Sequence, residues 1–91
     1  MELDHITESR ARKTIRALER FGHLLGMPDS KSLGKGLFEL RTLGKKHVRM
    51  LYTFHNNKAY IIHCFIKKRW NISSKDINYA RKIRSEIINL A

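Results

Sequence analysis

The chain has little of what secretion, metal clusters or membrane insertion require. Its 91 residues include one cysteine, one proline and eight acidic residues. No stretch approaches the roughly 18 apolar residues of a membrane span, and "MELDHITESR" lacks the charged-then-apolar pattern of a signal peptide. The single Cys64, which we expect to be a buried structural thiol, excludes an internal disulfide and a CxxC-type metal site. We therefore expect a soluble, cytoplasmic protein with no metal, no cofactor and no membrane partner.

Positive charge dominates what is present. Nineteen Lys and Arg residues against eight Asp and Glu give a formal net charge of +11. On a small chain, repulsion among so many positive charges destabilises the folded state, and the net charge favours binding to a strongly anionic partner. Nucleic acid is the first candidate and an acidic protein the second.

The chain begins and ends in helical patterns. Apolar residues at three- and four-residue steps predict an amphipathic helix from Thr7 to Leu25, with a basic outer face. "GMPDSKSLGKG" (26–36) then favours a connector. Near the C-terminus, Ser73 or Ser74 can cap a second helix with Asp76 in its first turn.

Between the helices the hydrophobic period falls to two. This alternation predicts three antiparallel strands in a meander, at roughly 37–43, 47–55 and 58–67. "GKK" (44–46) supplies one turn, and Asn56-Asn57 supplies a two-residue type I′ turn. The predicted fold is α+β, a single domain over 1–91: an N-terminal helix or helical hairpin, a three-stranded sheet and a C-terminal helix.

The two-residue turn also predicts the strand register. Counting back from His55 opposite Lys58 places Tyr52 opposite Ile61, Met50 opposite His63 and Arg49 opposite Cys64. One face then lies under the helices, carrying Val48, Met50, Tyr52, Phe54, Ile61, His63 and Phe65. The other face gathers Arg41, Arg49 and Lys68. A three-residue loop would instead place His63 beside Leu51 and Arg49.

A fixed cluster of cations suits a phosphodiester. Arginine offers planar paired donors to phosphate oxygens, and cations stabilise the charge of a pentacoordinate transition state. On RNA the neighbouring 2′-OH can serve as the nucleophile, so no metal is needed. Trp70, Tyr60 or His47 could stack on a base, and Glu39 could orient an arginine or act as a base. The competing interpretation is a solvated basic loop after a strand.

Residues 34–68, "GKGLFELRTLGKKHVRMLYTFHNNKAYIIHCFIKK", resemble a known family, and the likeness covers about residues 8–88, including the closing helix around Ala80. This is the HigB-type, phage-related branch of the RelE/ParE superfamily, bacterial toxins of type II toxin–antitoxin modules. The resemblance implies two N-terminal helices, a twisted antiparallel sheet and a C-terminal helix. Similar members begin with a strand before the first helix, so the sheet here is expected to lack that edge strand.

The resemblance also implies a function, namely ribosome-dependent cleavage of mRNA. By comparison with the family, Arg41, Arg49 and Lys68 are the catalytic positions at the scissile phosphate. RNA-binding residues lie beside them: His47, Lys67, Arg69 and Trp70. The implied partners are mRNA on the ribosome and a cognate antitoxin of the helix-turn-helix DNA-binding type. Two alternatives stay open: a ParE-like gyrase inhibitor, and a basic nucleic-acid-binding module without catalysis.

Overall fold

Two helices lie on opposite faces of a four-stranded sheet in the computed structural model, which describes residues 4–42, 47–67 and 71–90. The strands pair antiparallel in the order β1-β2-β3-β4. In chain order the elements are α1 (His5–Phe21), a 3-10 turn (Gly22–Leu24), β1 (Ser30–Gly34), β2 (Leu37–Arg41), β3 (Val48–His55), β4 (Lys58–Ile66) and α2 (Ser74–Ile88). The predicted α+β meander between two helices is confirmed.

The predicted count of three strands is wrong. β1 lies within the stretch interpreted as a connector, and it pairs with β2 along the edge of the sheet. Its sequence, Ser-Lys-Ser-Leu-Gly, has few β-branched or aromatic residues, so its propensity did not indicate a strand. Tertiary contact holds it instead, including a buried 2.6 Å hydrogen bond between the Ser30 and Tyr52 hydroxyls. An edge strand is therefore present after α1; within the described residues none precedes that helix.

The N-terminal region forms one α-helix rather than a helical hairpin. Asp4 caps α1 by accepting a hydrogen bond from the Thr7 backbone N–H. Ala11 and Leu18 on its inner side pack in one core cluster with Leu40, Met50 and Tyr52. After Phe21 the short 3-10 turn (Gly22–Leu24) is the only further helical element before β1, so the two helices implied by the resemblance are one helix and one turn.

The predicted register holds near the β3–β4 turn and fails beyond it. Asn56 and Asn57 have φ of 51° and 63°, as a type I′ turn requires, and Tyr52 lies opposite Ile61 as predicted. Between Leu51 and Tyr52 the register shifts, because β4 accommodates Ile62 as an extra residue. His63 consequently lies opposite Leu51.

The bulge moves every following β4 side chain to the other face. Met50 therefore pairs with Cys64 and Arg49 with Phe65, so the predicted Met50–His63 and Arg49–Cys64 pairs are wrong. Cys64 is exposed rather than buried.

The expectation that both helices cover the same face is also wrong. Ala80 of α2 packs with Leu37 and Leu51, which point away from the α1 core. The face that carries Arg41 and Arg49 is thus partly covered by α2. The predicted turn at 44–46 lies outside the described residues.

Gly36 generates a stability prediction. It has φ of +79°, and a Cβ there would overlap the Arg84 guanidinium. Arg84 donates through Nε to the Thr53 hydroxyl at 3.1 Å, and that hydroxyl donates to the Gly36 carbonyl at 2.7 Å. Gly36→Ala should lower the free energy of unfolding by about 1–2 kcal/mol, from backbone strain and the displaced Arg84 hydrogen bond. Urea denaturation measures this change.

The matched control is Gly26→Ala. Gly26 has no positive φ, and a Cβ there meets no atom within 4 Å. That variant should be as stable as the wild type within about 0.5 kcal/mol. If both variants lost the same free energy of unfolding, the roles assigned to the positive φ of Gly36 and to its contact with Arg84 would be contradicted.

Candidate nucleic-acid interface

Two arginines face each other across neighbouring strands. Arg41 on β2 and Arg49 on β3 are directly opposed in the register, and strand alternation places both on the α2 face. Their side chains are 22% and 11% exposed. Burial lowers the pKa of the Arg49 guanidinium below its ordinary value; Glu39 opposes this shift and Arg41 adds to it. The sequence predicted this proximity.

Glu39 lies between the two arginines. Its carboxylate accepts a 2.6 Å hydrogen bond from Arg41 Nε, and its second oxygen is 3.9 Å from Arg49 Nε. The second distance indicates an ion pair without a hydrogen bond. Arg49 Nε is buried and has no hydrogen-bond partner among the described residues, while Arg49 Nη1 donates to the Val48 carbonyl at 3.1 Å. Of the two roles considered for Glu39, orienting arginines fits this geometry.

A shallow depression of about 300 Å³ opens beside this ion pair. Lys67 forms part of its wall, and the Lys67 backbone N–H donates to the His47 carbonyl at 2.8 Å. This bond continues the β3–β4 pairing by one residue, so Lys67 lies beside the strand that carries Arg49. The lining residues are Lys31, Leu33, Glu39, Arg41, Lys67, Asn71, Ile72 and Ile77. Three cations and one buried carboxylate thus surround a cleft suited to a phosphate group.

Comparison with known proteins assigns the chain to a family. A model of the family described as "Phage derived protein Gp49-like (DUF891)" matches residues 1–85. The chain belongs to this family. Gp49-like proteins are the HigB-like toxins of the RelE/ParE superfamily, and they are generally ribonucleases. No curated protein and no solved structure matches the chain significantly.

The structure brings together only some of the predicted site residues of this HigB-like chain. Arg41 and Lys67 line the depression, and Arg49 adjoins it. His47 is exposed and lies directly before β3. Lys68, Arg69 and Trp70 lie outside the described residues, so their predicted roles stay predictions, as do the catalytic roles of Arg41 and Arg49.

Sequence reasoning missed Lys31. This residue lies directly opposite Glu39 in the β1–β2 register and lines the depression. It was overlooked because β1 was interpreted as a connector. The alternation of Lys31 and Leu33 with two serines was the available signal, although it is too short to distinguish a strand from a polar loop.

His63 does not face the α1 core as predicted. Its Nε2 lies 2.7 Å from Asp76 Oδ1 on α2, and its ring packs against Phe65 and Tyr79. Ser73, the N-cap of α2, donates from its hydroxyl to Asp76 Oδ2 at 2.8 Å. This network ties the first turn of α2, and hence one wall of the depression, to β4.

Residues 4–42, 47–67 and 71–90 contain no group of three or more His, Cys, Asp or Glu side chains able to hold a metal ion. None of the helices described in this HigB-like chain has the length and hydropathy needed to cross a lipid bilayer.

Asp76 generates a pH-dependent prediction. Hydrogen bonds from His63 and then Ser73 hold the pKa of Asp76 below its ordinary value. A carboxylate with a depressed folded pKa stabilises the protein above its unfolded pKa, and this contribution is lost as the pH falls through the folded pKa. Asp76→Asn should therefore be about 1 kcal/mol less stable than wild type near neutral pH, and the difference should shrink in acid. Urea denaturation at several pH values measures it.

Glu86→Gln serves as the control, because Glu86 is exposed on the same helix. It should change stability little at either end of the pH range. A difference between Asp76→Asn and wild type that stays constant into acid would contradict the role of the Asp76 charge.

Proposed function

We propose that this HigB-like protein is the toxin of a type II toxin–antitoxin module and a ribosome-dependent, metal-independent mRNA endoribonuclease. The observation that carries the proposal is the opposed Arg41–Arg49 pair beside a cationic depression. Membership of a family whose members are generally ribonucleases supports it. Cleavage of mRNA would halt translation.

In the proposed mechanism the substrate supplies the nucleophile. The ribosome holds one nucleotide so that its 2′-oxygen attacks the adjacent phosphorus as the 2′-OH gives up its proton. The bond from phosphorus to the 5′-oxygen of the next nucleotide breaks, that oxygen takes up a proton to become a 5′-OH, and a 2′,3′-cyclic phosphate forms with no net gain or loss of protons. Charge increases on the phosphate oxygens in the transition state. Arg41 and Arg49 stabilise that charge, together with Lys68 by family resemblance. Positioning and electrostatics thus carry the reaction.

RNA binding is assigned to the groups around this cluster. Lys67 lines the depression and lies next to Lys68 and Arg69 in the sequence. His47 is exposed and could stack on a base, as could Trp70, whose position lies outside the described residues. These contacts would hold the strand without a metal ion or other cofactor.

The proposed protein partner is a cognate antitoxin. A toxin of this family implies one, and the net charge of +11 favours an acidic segment on the antitoxin. The resemblance implies an antitoxin of the helix-turn-helix DNA-binding type.

Primer extension on an mRNA translated in a reconstituted system tests the proposal. Wild type should produce ribosome-dependent cuts at codon-spaced positions. Arg41→Gln and Arg49→Gln should each slow cutting about 100-fold or more, because each removes a charge from the transition-state site. Thermal melts establish that the variants are folded.

Lys13→Gln is the matched control, because Lys13 is exposed on α1, on the opposite face of the sheet. It should cut like wild type. Absence of cuts by folded wild type would contradict the nuclease; DNA damage with intact mRNA would then indicate a gyrase inhibitor. RNA binding with neither mRNA cleavage nor DNA damage would indicate a nucleic-acid-binding module without catalysis.

A further inference from the structure

Glu39 is an acidic residue in the middle of a surface that otherwise selects for anions. It is 1% exposed, and a buried carboxylate is costly unless charged partners compensate it. In the register it lies opposite Lys31, two residues before Arg41, and diagonal to Arg49. Its burial among three cations requires an explanation, because every negative charge here weakens attraction for RNA.

The opposed arginines supply that explanation. Like charges directly opposite each other on neighbouring strands repel and destabilise the pairing. Glu39 offsets this repulsion by contacting both guanidinium groups from the same face. Without its charge, Arg41 and Arg49 would be expected to turn apart towards solvent.

Glu39 contacts both arginines at Nε rather than at their terminal nitrogens. Arg49 Nη1 is held by the Val48 carbonyl, and Arg41 Nη1 lies 3.9 Å from the Met27 sulfur. Within the described residues this leaves Nη2 of each arginine for another acceptor. The carboxylate therefore holds the two side chains at their Nε atoms and leaves terminal N–H donors that can bind a phosphate.

We propose that Glu39 is a positioning residue that weakens RNA binding in the ground state while holding Arg41 and Arg49 in the geometry that stabilises the transition state. This inference rests on the proposed ribonuclease function. Interactions that strengthen only in the transition state accelerate catalysis, whereas uniform binding does not. The negative charge of Glu39 reduces the general attraction of the site for RNA phosphates, which is equal in the ground and transition states. Its contacts with Arg41 and Arg49 keep both guanidinium groups oriented for hydrogen bonds to the transition state. Binding and rate should consequently change in opposite directions when its charge is removed.

The test compares Glu39→Gln with wild type in two assays. The first measures affinity for a fluorescent, 2′-O-methylated single-stranded RNA oligonucleotide as a function of salt. Glu39→Gln should bind a few-fold more tightly at low salt, with a log–log salt slope steeper by up to about 0.7, equivalent to one more phosphate contact. The second measures the maximal rate of mRNA cutting on ribosomes, which should fall about 10-fold or more.

Glu19→Gln is the matched control, because it removes one exposed charge on α1, away from the depression. It should leave the cutting rate unchanged. Glu39→Asp keeps the charge and shortens the side chain by one methylene. It should bind RNA within about two-fold of wild type and still cut more slowly.

The outcomes separate this inference from the proposed function. If wild type cuts and Glu39→Gln cuts equally fast, or if affinity and rate fall together, the inference is overturned and the ribonuclease stands. If folded wild type cuts nothing, the proposed function fails. Should Glu39→Gln not fold, Glu39→Asp decides: wild-type affinity with slower cutting supports the inference, and an unchanged rate overturns it.

Discussion

Arg41 and Arg49 lie directly opposite each other on β2 and β3, and the candidate site depends on keeping these two like charges together. Glu39, on the same face, contacts both and is almost fully buried. Three charges with a net value of +1 therefore form a stable unit where two guanidinium groups alone would repel. Lys31 and Lys67 add further positive charge at the edge of the depression. In the proposed mechanism, a phosphate that enters the depression meets cations whose positions are set before it arrives, which is the condition for electrostatic catalysis.

The bulge at Ile62 connects this unit to the rest of the fold. By turning His63 towards α2, it allows the hydrogen bond to Asp76 that holds the first turn of that helix. Farther along α2, Arg81 donates to the Gly34 and Leu33 carbonyls at 3.3 and 3.2 Å. The first turn of α2 is thereby bonded to β4 through Asp76, and a later turn of α2 is bonded to the end of β1 through Arg81. These contacts help to fix Ile72 and Ile77, which with Leu33 form the apolar part of the wall around the depression.

Much of this could be predicted from local patterns. Alternation located β2, β3 and β4, and the Asn56-Asn57 turn set the β3–β4 register at one end. Of the two predicted caps of α2, Ser73 and Ser74, Ser73 is the one observed. The bulge could not be predicted, because nothing in "YIIHCF" distinguishes an extra Ile62 from a regular strand. Its observed stabilisation is tertiary: Ile62 and Phe65 pack in the core cluster of Leu51 and Ala80. The extra residue reversed the predicted faces of His63 and Cys64. β1 was missed because an edge strand of serine, lysine and glycine is stabilised by its partner rather than by propensity.

The central claim is that the scissile phosphate binds between Arg41 and Arg49. The most direct measurement is a cryo-electron microscopy structure of the protein on a ribosome whose mRNA carries a 2′-O-methyl group at the cleavage position, which blocks the attack. We expect a backbone phosphate in the depression, with its oxygens about 3 Å from guanidinium nitrogens of both arginines. An mRNA strand bound against the basic face of α1, with the depression empty, would contradict it.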